Sequence, residues 1–151
     1  MKFEIPKPMK IEHDELHADL VKATKAGGQT GEAAKAVAKV LHAHFVKEEQ
    51  YALPPLGLLP ALARDKFEPA MAEVLAMTDK LEAELPQMLA EHKQIVAALD
   101  KLVAAAKAEN MPDVAAFAQK LALHAQTEEQ VAYPTTLLIG RYVKEQLAAV
   151  R

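Results

Sequence analysis

An eleven-residue segment occurs twice in this chain, and each copy places a histidine and a glutamate four residues apart. Residues 44–54 read HFVKEEQYALP, and residues 124–134 read HAQTEEQVAYP. Six of the eleven positions are identical, and the offset between the copies is 80 residues. Residues four apart lie on one face of a helix, so each copy directs an imidazole and a carboxylate to the same point. Two such pairs predict a site for two metal ions.

The repeat extends to the helices that precede these two segments. Glu12-His13 lies in the first of them and Glu91-His92 in the other, 79 residues further along the chain. Each half of the chain is therefore predicted to be a helical hairpin, with Glu-His on its first helix and His-x-x-x-Glu on its second. Packing the two hairpins face to face gives a pseudo-two-fold bundle. In that bundle six side chains approach one axis: His13, His44, Glu48, His92, His124 and Glu128.

The composition and the positions of proline and glycine favour an all-α protein. Apolar residues make up 51 %, there are 5 glycines and no tryptophan, and 151 residues are enough for one domain, predicted to span residues 1–151. Proline and glycine positions predict helices over about 8–27, 30–53, 68–109 and 112–133, and a short C-terminal helix over 135–149. Pro86 should kink or split the third helix, and Pro134 should break the fourth. We expect an antiparallel up-and-down four-helix bundle with an internal pseudo-two-fold repeat.

Several classes of function are disfavoured by what the chain lacks. The net charge is −3 and no cluster of Lys and Arg occurs, so no nucleic-acid partner is expected. No apolar run reaches the roughly 20 residues of a membrane span, so no membrane partner is expected. The absence of cysteine excludes thiolate ligands. The first residues show no signal-peptide pattern, and we expect a cytoplasmic protein.

The candidate ligands point to a particular class of cation. Four imidazoles and two carboxylates suit iron, manganese or zinc better than calcium or magnesium. A single histidine of this kind is usually a hydrogen-bonded core residue. Burying Glu48 and Glu128 without a counter-charge, however, would cost several kcal/mol each. The set as a whole therefore predicts a bound cation.

Other polar residues near these motifs leave alternatives open. His17 follows His13 by four residues; it is either a seventh metal ligand, which would make the two metals unequal, or a hydrogen-bonding partner of the ligands. Tyr51 either packs against the site or donates a hydrogen bond to a carboxylate. His42 is turned about 200° from His44 and should face solvent. Four further glutamates are predicted to be surface charges, with support of the histidines as the alternative for the two that precede a histidine: Glu12, Glu49, Glu91 and Glu129.

Glu-His on the first and third helices with His-x-x-x-Glu on the second and fourth resembles the hemerythrin-like HHE cation-binding family. The resemblance runs from about Pro8 to Tyr133. It implies an up-and-down four-helix bundle with a non-haem centre of two iron ions. It implies that Glu48 and Glu128 bridge the ions, that the four histidines are terminal ligands, and that the small ligand is dioxygen or nitric oxide.

Departures from relatives of this kind shape the functional expectation. Oxygen-carrying hemerythrins have a second histidine four residues after that of the third helix, where this chain has Val96. Their last ligand motif is His-x-x-x-x-Asp, where this chain has His124-x-x-x-Glu128. The pattern is closer to the metal domain of iron–sulfur cluster repair proteins, which also carry a cysteine-containing domain. Ferritin-like proteins would need Glu-x-x-His, which does not occur. We predict sensing, storage or scavenging of dioxygen or nitric oxide. The alternatives are a redox enzyme acting on peroxide or nitric oxide, an iron-donor or cluster-repair role, or a structural zinc site.

Overall fold

The computed structural model describes residues 1–150, which form helices and no strand. The α-helices are α1 (Lys7–Thr24), α2 (Gly28–Lys47), α3 (Leu59–Leu62), α4 (Leu75–Ala108), α5 (Pro112–Thr127) and α6 (Tyr133–Ala149). Two π-helical segments, Glu48–Ala52 and Glu128–Ala132, and two 3-10 helices, Pro54–Leu58 and Pro69–Val74, complete the fold. Helix α2 packs against α1 and α4, and α5 packs against the same two helices. Helices α1, α2, α4 and α5 therefore form a four-helix bundle.

The junction between α1 and α2 depends on two glycines and a carboxylate from another helix. Gly27 and Gly28 have positive φ angles of 74° and 59°, a conformation that favours glycine. Helix α1 ends at Thr24, before the predicted glycines, and Gly28 is instead the first residue of α2. The predicted second helix begins at residue 30, but α2 already begins at Gly28, so Thr30 lies in its first turn. The backbone N–H and hydroxyl of Thr30 donate to Oε1 of Glu109, at 2.6 and 2.5 Å. A carboxylate there offsets the positive end of the helix dipole.

Helix α4 runs through Pro86 without being split. Pro86 has no N–H, so one carbonyl of the preceding turn loses its partner within the helix. The proline lies on the exposed face of α4, where water can bind that carbonyl. The third helix is therefore one 34-residue element, preceded by the 3-10 turn at Pro69–Val74 rather than beginning at Pro69.

The π segments were not predicted, and they change the expected end of the fourth helix. Each segment closes with a bond from an N–H to the carbonyl five residues earlier, from Leu53 to Glu48 and from Tyr133 to Glu128. Pro134 then lies in the first turn of α6, where a missing N–H is tolerated. The last helix therefore follows the second π segment without a break and has 17 residues. The first copy differs because Pro55 follows Pro54 and the chain turns into a 3-10 helix.

Within residues 1–150 the core contains three apolar clusters, and two of them border the polar motifs. One contains Leu41, Phe45, Ile95 and Leu121. Another contains Tyr51, Leu81, Met88 and Tyr133. Each His-x-x-x-Glu motif follows a leucine of the first cluster, Leu41 or Leu121, and precedes a tyrosine of the second, Tyr51 or Tyr133. Its polar side chains are therefore bordered by apolar ones. No helix within residues 1–150 has the length and apolar character needed to cross a membrane.

Candidate metal centre

The six predicted ligands lie together in the interior of the bundle. The four histidines come from α1, α2, α4 and α5, and the two glutamates are the first residues of the two π segments. All six are buried; Glu48 is 0 % exposed and Glu128 is 2 % exposed. Their nitrogen and oxygen atoms form two groups, each with its atoms within 4.8 Å of one another: His44, Glu48, His92 and Glu128, and then His13, His124 and Glu128.

The carboxylates of Glu48 and Glu128 lie between two histidine pairs, His44 with His92 and His13 with His124. Oε1 of Glu128 is 3.4 Å from Nε2 of His92, whereas its Oε2 is 3.1 Å from Nε2 of His124. Oε2 of Glu48 is 3.6 Å from Nε2 of His44, whereas its Oε1 is 3.8 Å from Nε2 of His13. Each carboxylate therefore presents one oxygen to each histidine pair.

Four outer glutamates face the outer nitrogens of the histidines. Nδ1 of His44 is 2.8 Å from Glu91, Nδ1 of His92 is 2.9 Å from Glu129, and Nδ1 of His124 bonds to Glu12. Nδ1 of His13 is 3.9 Å from Glu49, beyond hydrogen-bond range. Such contacts place the Nδ1 proton outward and leave Nε2 free to bind a metal.

The outer glutamates support histidines of other helices, not their own neighbours in sequence. Glu12 precedes His13 on α1 but bonds to His124 on α5, and Glu91 precedes His92 on α4 but bonds to His44 on α2. The alternative of a supporting role for Glu12 and Glu91 therefore fits the structure better than that of plain surface charges. Glu129 was predicted to be a surface charge only, yet it contacts His92. Lysines also pair with two of the outer glutamates: Lys47 with Glu91, at 2.7 Å, and Lys10 with Glu49, at 2.6 Å.

The electrostatics of the inner pair show how much charge is confined here. Burial and the nearby charge of Glu128 raise the pKa of Glu48 to about 7. Burial lowers the pKa of His124, but the carboxylates of Glu128, Glu12 and Glu48 together outweigh it and raise that pKa to about 9. His44 follows the same pattern: burial opposes its protonation, and Glu48 and Glu91 raise its pKa. Without a cation, the site must therefore hold protons in its place.

Unpaired buried atoms indicate that a cation fits these residues. Within residues 1–150, three atoms of the site lack a hydrogen-bond partner: Nδ1 of His13, Oε1 of Glu48 and Nε2 of His124. Leaving such atoms unpaired costs about 1–3 kcal/mol each. Two of them, Oε1 of Glu48 and Nε2 of His124, face the space between the histidine pairs. Inward imidazole nitrogens and carboxylate oxygens form the donor set that first-row transition metals bind.

Tyr133 belongs to the site and was missed in the sequence. Its hydroxyl donates to Oε2 of Glu48 at 2.5 Å, and it lies 3.2 Å from Nε2 of His44 and 3.1 Å from Nε2 of His92. Burial and the charge of Glu48 raise the pKa of this phenol. A comparison of the two copies of the repeat could have found it, because Tyr133 is a polar residue at the position where the first copy has Leu53.

Tyr51 packs in the same cluster as Tyr133, in line with the packing alternative, whereas His17 lies outside the site. The hydroxyl of Tyr51 donates to Glu84 at 2.5 Å, not to a carboxylate of the site. His17 is exposed and belongs to neither group of candidate ligands. It lines a cavity of about 220 Å³ beside α2 together with His42, which is exposed as predicted. The reason is helical geometry: Leu16 and Leu20, three and seven residues after His13, face the core, and the fourth position falls outside that stripe.

Comparison with known proteins agrees with this site. The sequence model of the hemerythrin HHE cation-binding domain matches residues 31–136, which include most of α2, all of α4 and α5, and both π segments. Searches of curated proteins and of solved structures gave no significant match. The matched region covers more than half of the chain and contains five of the six buried candidate ligands. The chain therefore belongs to the hemerythrin HHE cation-binding domain family.

Proposed function

We propose that this chain holds two iron ions in its bundle and binds dioxygen or nitric oxide there, for sensing, storage or scavenging. The observation that carries the proposal is the position of Glu48 and Glu128, each with one oxygen toward each histidine pair. His44 and His92 would hold one ion, His13 and His124 the other, and both carboxylates would bridge them. Zinc or manganese would fit the same donors, and the measurements below distinguish them.

The arrangement of the helices supports a paired site. We propose an antiparallel up-and-down bundle in which the two halves of the chain are related by a pseudo-two-fold axis. Both halves contribute a histidine from a first helix, a histidine from a second helix and a glutamate that begins a π segment. π segments of one turn occur often at functional sites. The matching positions of these segments favour a common role in orienting Glu48 and Glu128.

The protein's own residues would perform three tasks at this centre. The Nε2 atoms of the four imidazoles would bind the iron ions. Glu12, Glu91 and Glu129 fix the orientation of three of these imidazoles by hydrogen bonds to their Nδ1 atoms. The apolar clusters around the site exclude bulk water, and Phe45 stacks on His13 with ring centroids 4.2 Å apart. When bound, a pair of reduced iron ions supplies electrons and open coordination positions to a diatomic gas. A redox enzyme acting on peroxide or nitric oxide is the second candidate, because Tyr133 places an O–H donor inside the site.

Metal content and gas reactivity test this proposal together. Protein prepared without oxygen should contain two iron ions per chain. Stopped-flow mixing with dioxygen should then give a spectrum that reverses when the gas is removed. Rapid and irreversible oxidation would favour the redox enzyme instead. Zinc in the protein as prepared, with no optical response to either gas, would refute both.

Matched variants test the ligand assignment. Glu48→Ala and Glu128→Ala should lower the stoichiometry from two metals per chain to one or none. His17→Ala and His42→Ala remove imidazoles of the same kind from exposed positions and should leave it at two. If both glutamate variants keep two metals, the bridging role of these carboxylates is wrong.

A further inference from the structure

The hydroxyl of Tyr133 lies near three hydrogen-bond acceptors, and it can donate a hydrogen bond to only one of them. When His44 and His92 are neutral and direct their Nδ1 protons to Glu91 and Glu129, both Nε2 atoms present lone pairs to the interior. The phenol has one proton, which it donates in a hydrogen bond to Glu48. The phenol oxygen therefore faces two further lone pairs at 3.1 and 3.2 Å without a proton for either. Four electron-rich atoms converge, and a cation among them would satisfy all four.

The distances agree with a shared coordination shell. With metal–ligand bonds of about 2.1 Å, neighbouring ligand atoms of an octahedral shell are about 3.0 Å apart. The phenol oxygen is 3.1 Å from Nε2 of His92, 3.2 Å from Nε2 of His44 and 2.5 Å from Oε2 of Glu48. The two distances to the imidazole nitrogens are close to those of adjacent ligands in such a shell, and the distance to Oε2 of Glu48 is that of a short hydrogen bond. An ion bound by His44 and His92 would therefore lie within reach of the phenol oxygen of Tyr133.

We infer that Tyr133 is a direct ligand of the ion held by His44 and His92, an inference that rests on the proposed di-iron function. The O–H bond of the phenol breaks as the oxygen–metal bond forms, and the proton is lost to solvent. In the first copy of the repeat the matching residue is Leu53, which is buried and has no donor atom. The ion at His13 and His124 therefore receives one protein ligand fewer. The open position for a small molecule lies on that side.

Optical spectroscopy of the ferric protein tests this directly. A phenolate bound to ferric iron gives an intense charge-transfer band in the visible region, and excitation into it enhances phenolate vibrations in the resonance Raman spectrum. The wild-type protein, loaded with iron and oxidised, should show both signatures. Tyr133→Phe should lose them while retaining the fold by circular dichroism. Tyr51→Phe is the matched control, because it removes a buried phenol bonded to Glu84, and it should keep both signatures.

The outcomes separate this inference from the proposed function. Wild-type protein that holds two irons but shows no phenolate vibrations overturns the ligation by Tyr133 and leaves the di-iron proposal intact. The same conclusion follows if the band survives in Tyr133→Phe or disappears in Tyr51→Phe. Wild-type protein that holds no iron refutes both. Should Tyr133→Phe fail to fold, the wild-type Raman spectrum alone decides, since it either contains phenolate modes or does not.

Discussion

Replacing Glu48 by glutamine should have opposite effects on the metal-free and the metal-loaded protein. In the metal-free protein, burial and the charge of Glu128 raise the pKa of Glu48 from its ordinary value of 4.5 to about 7. Each pKa unit corresponds to about 1.4 kcal/mol, so the ionised carboxylate lowers the free energy of unfolding by about 3 kcal/mol at pH 8. Glutamine removes that charge and keeps an oxygen that can accept from Tyr133. The metal-free variant should therefore be more stable than the wild type.

The metal-loaded variant should instead lose stability relative to the loaded wild type. Metal that binds only the folded state stabilises it, and each hundredfold loss of affinity removes about 2.7 kcal/mol of that stabilisation. Glutamine offers one neutral oxygen where the carboxylate offers one to each histidine pair. The same substitution therefore stabilises one form of the protein and destabilises the other.

Denaturant unfolding followed by helix circular dichroism measures both effects. It would be run at pH 8 with a chelator, and again with excess zinc, which has no redox chemistry. The penalty on Glu48 is complete above pH 7 and disappears as the pH falls to 4.5, so the advantage of the metal-free variant should vanish near pH 5. Glu15→Gln, an exposed position on α1, removes the same charge and should change neither form. Metal-free Glu48→Gln that is no more stable than the wild type at pH 8 would refute the reasoning.

Three further predictions concern other parts of the structure. Since the pKa of His124 is raised to about 9, its contribution to metal-free stability is complete below pH 6.5 and is lost as the pH rises through 9. The denaturant midpoint, measured with a chelator, should therefore fall as the pH rises from about 6 to about 9.5, and a midpoint that rises would contradict the assignment. Glu91→Gln removes the carboxylate that supports His44 and should weaken metal binding about 10- to 100-fold in competition titrations, while an unchanged affinity would exclude that role. Gly140→Ala would place a methyl group 2.5 Å from Oγ1 and 2.7 Å from Cβ of Thr78, so α6 should move away from α4 at a cost of about 1–3 kcal/mol by thermal unfolding; an unchanged melting temperature would contradict it.

The sequence alone predicted the helices and the convergence of the six buried side chains. Helical spacing determines which side chains share a face, and an internal repeat relates one half of the chain to the other. These features brought His13 and His92 into the same set as the two His-x-x-x-Glu motifs, and the structure places all six together. Their role as metal ligands stays a prediction.

Features that depend on distances between helices could not be read from the sequence. The supporting contact from Glu91 on α4 goes to His44 on α2, a pairing that no spacing within one helix reveals. Tyr133 directly follows a π segment and contacts the site, whereas regular α-helical spacing directed attention to Tyr51. His17 was assigned the face of His13 because four residues is nearly one turn, but the core follows Leu16 and Leu20 instead.

The outer glutamates also determine how much positive charge the interior can accept. Six carboxylates surround the four histidines, and two lysines, Lys10 and Lys47, neutralise part of that charge. With neutral imidazoles and a protonated Tyr133, the remaining negative charge equals the positive charge of two divalent cations, and ionisation of Tyr133 on metal binding would add one negative charge. Oxidation of both ions would leave an excess of positive charge, which loss of a proton or entry of an anion would compensate. We therefore expect the reduction potential of the centre to depend on pH, and to rise when Glu12 or Glu129 is replaced by glutamine.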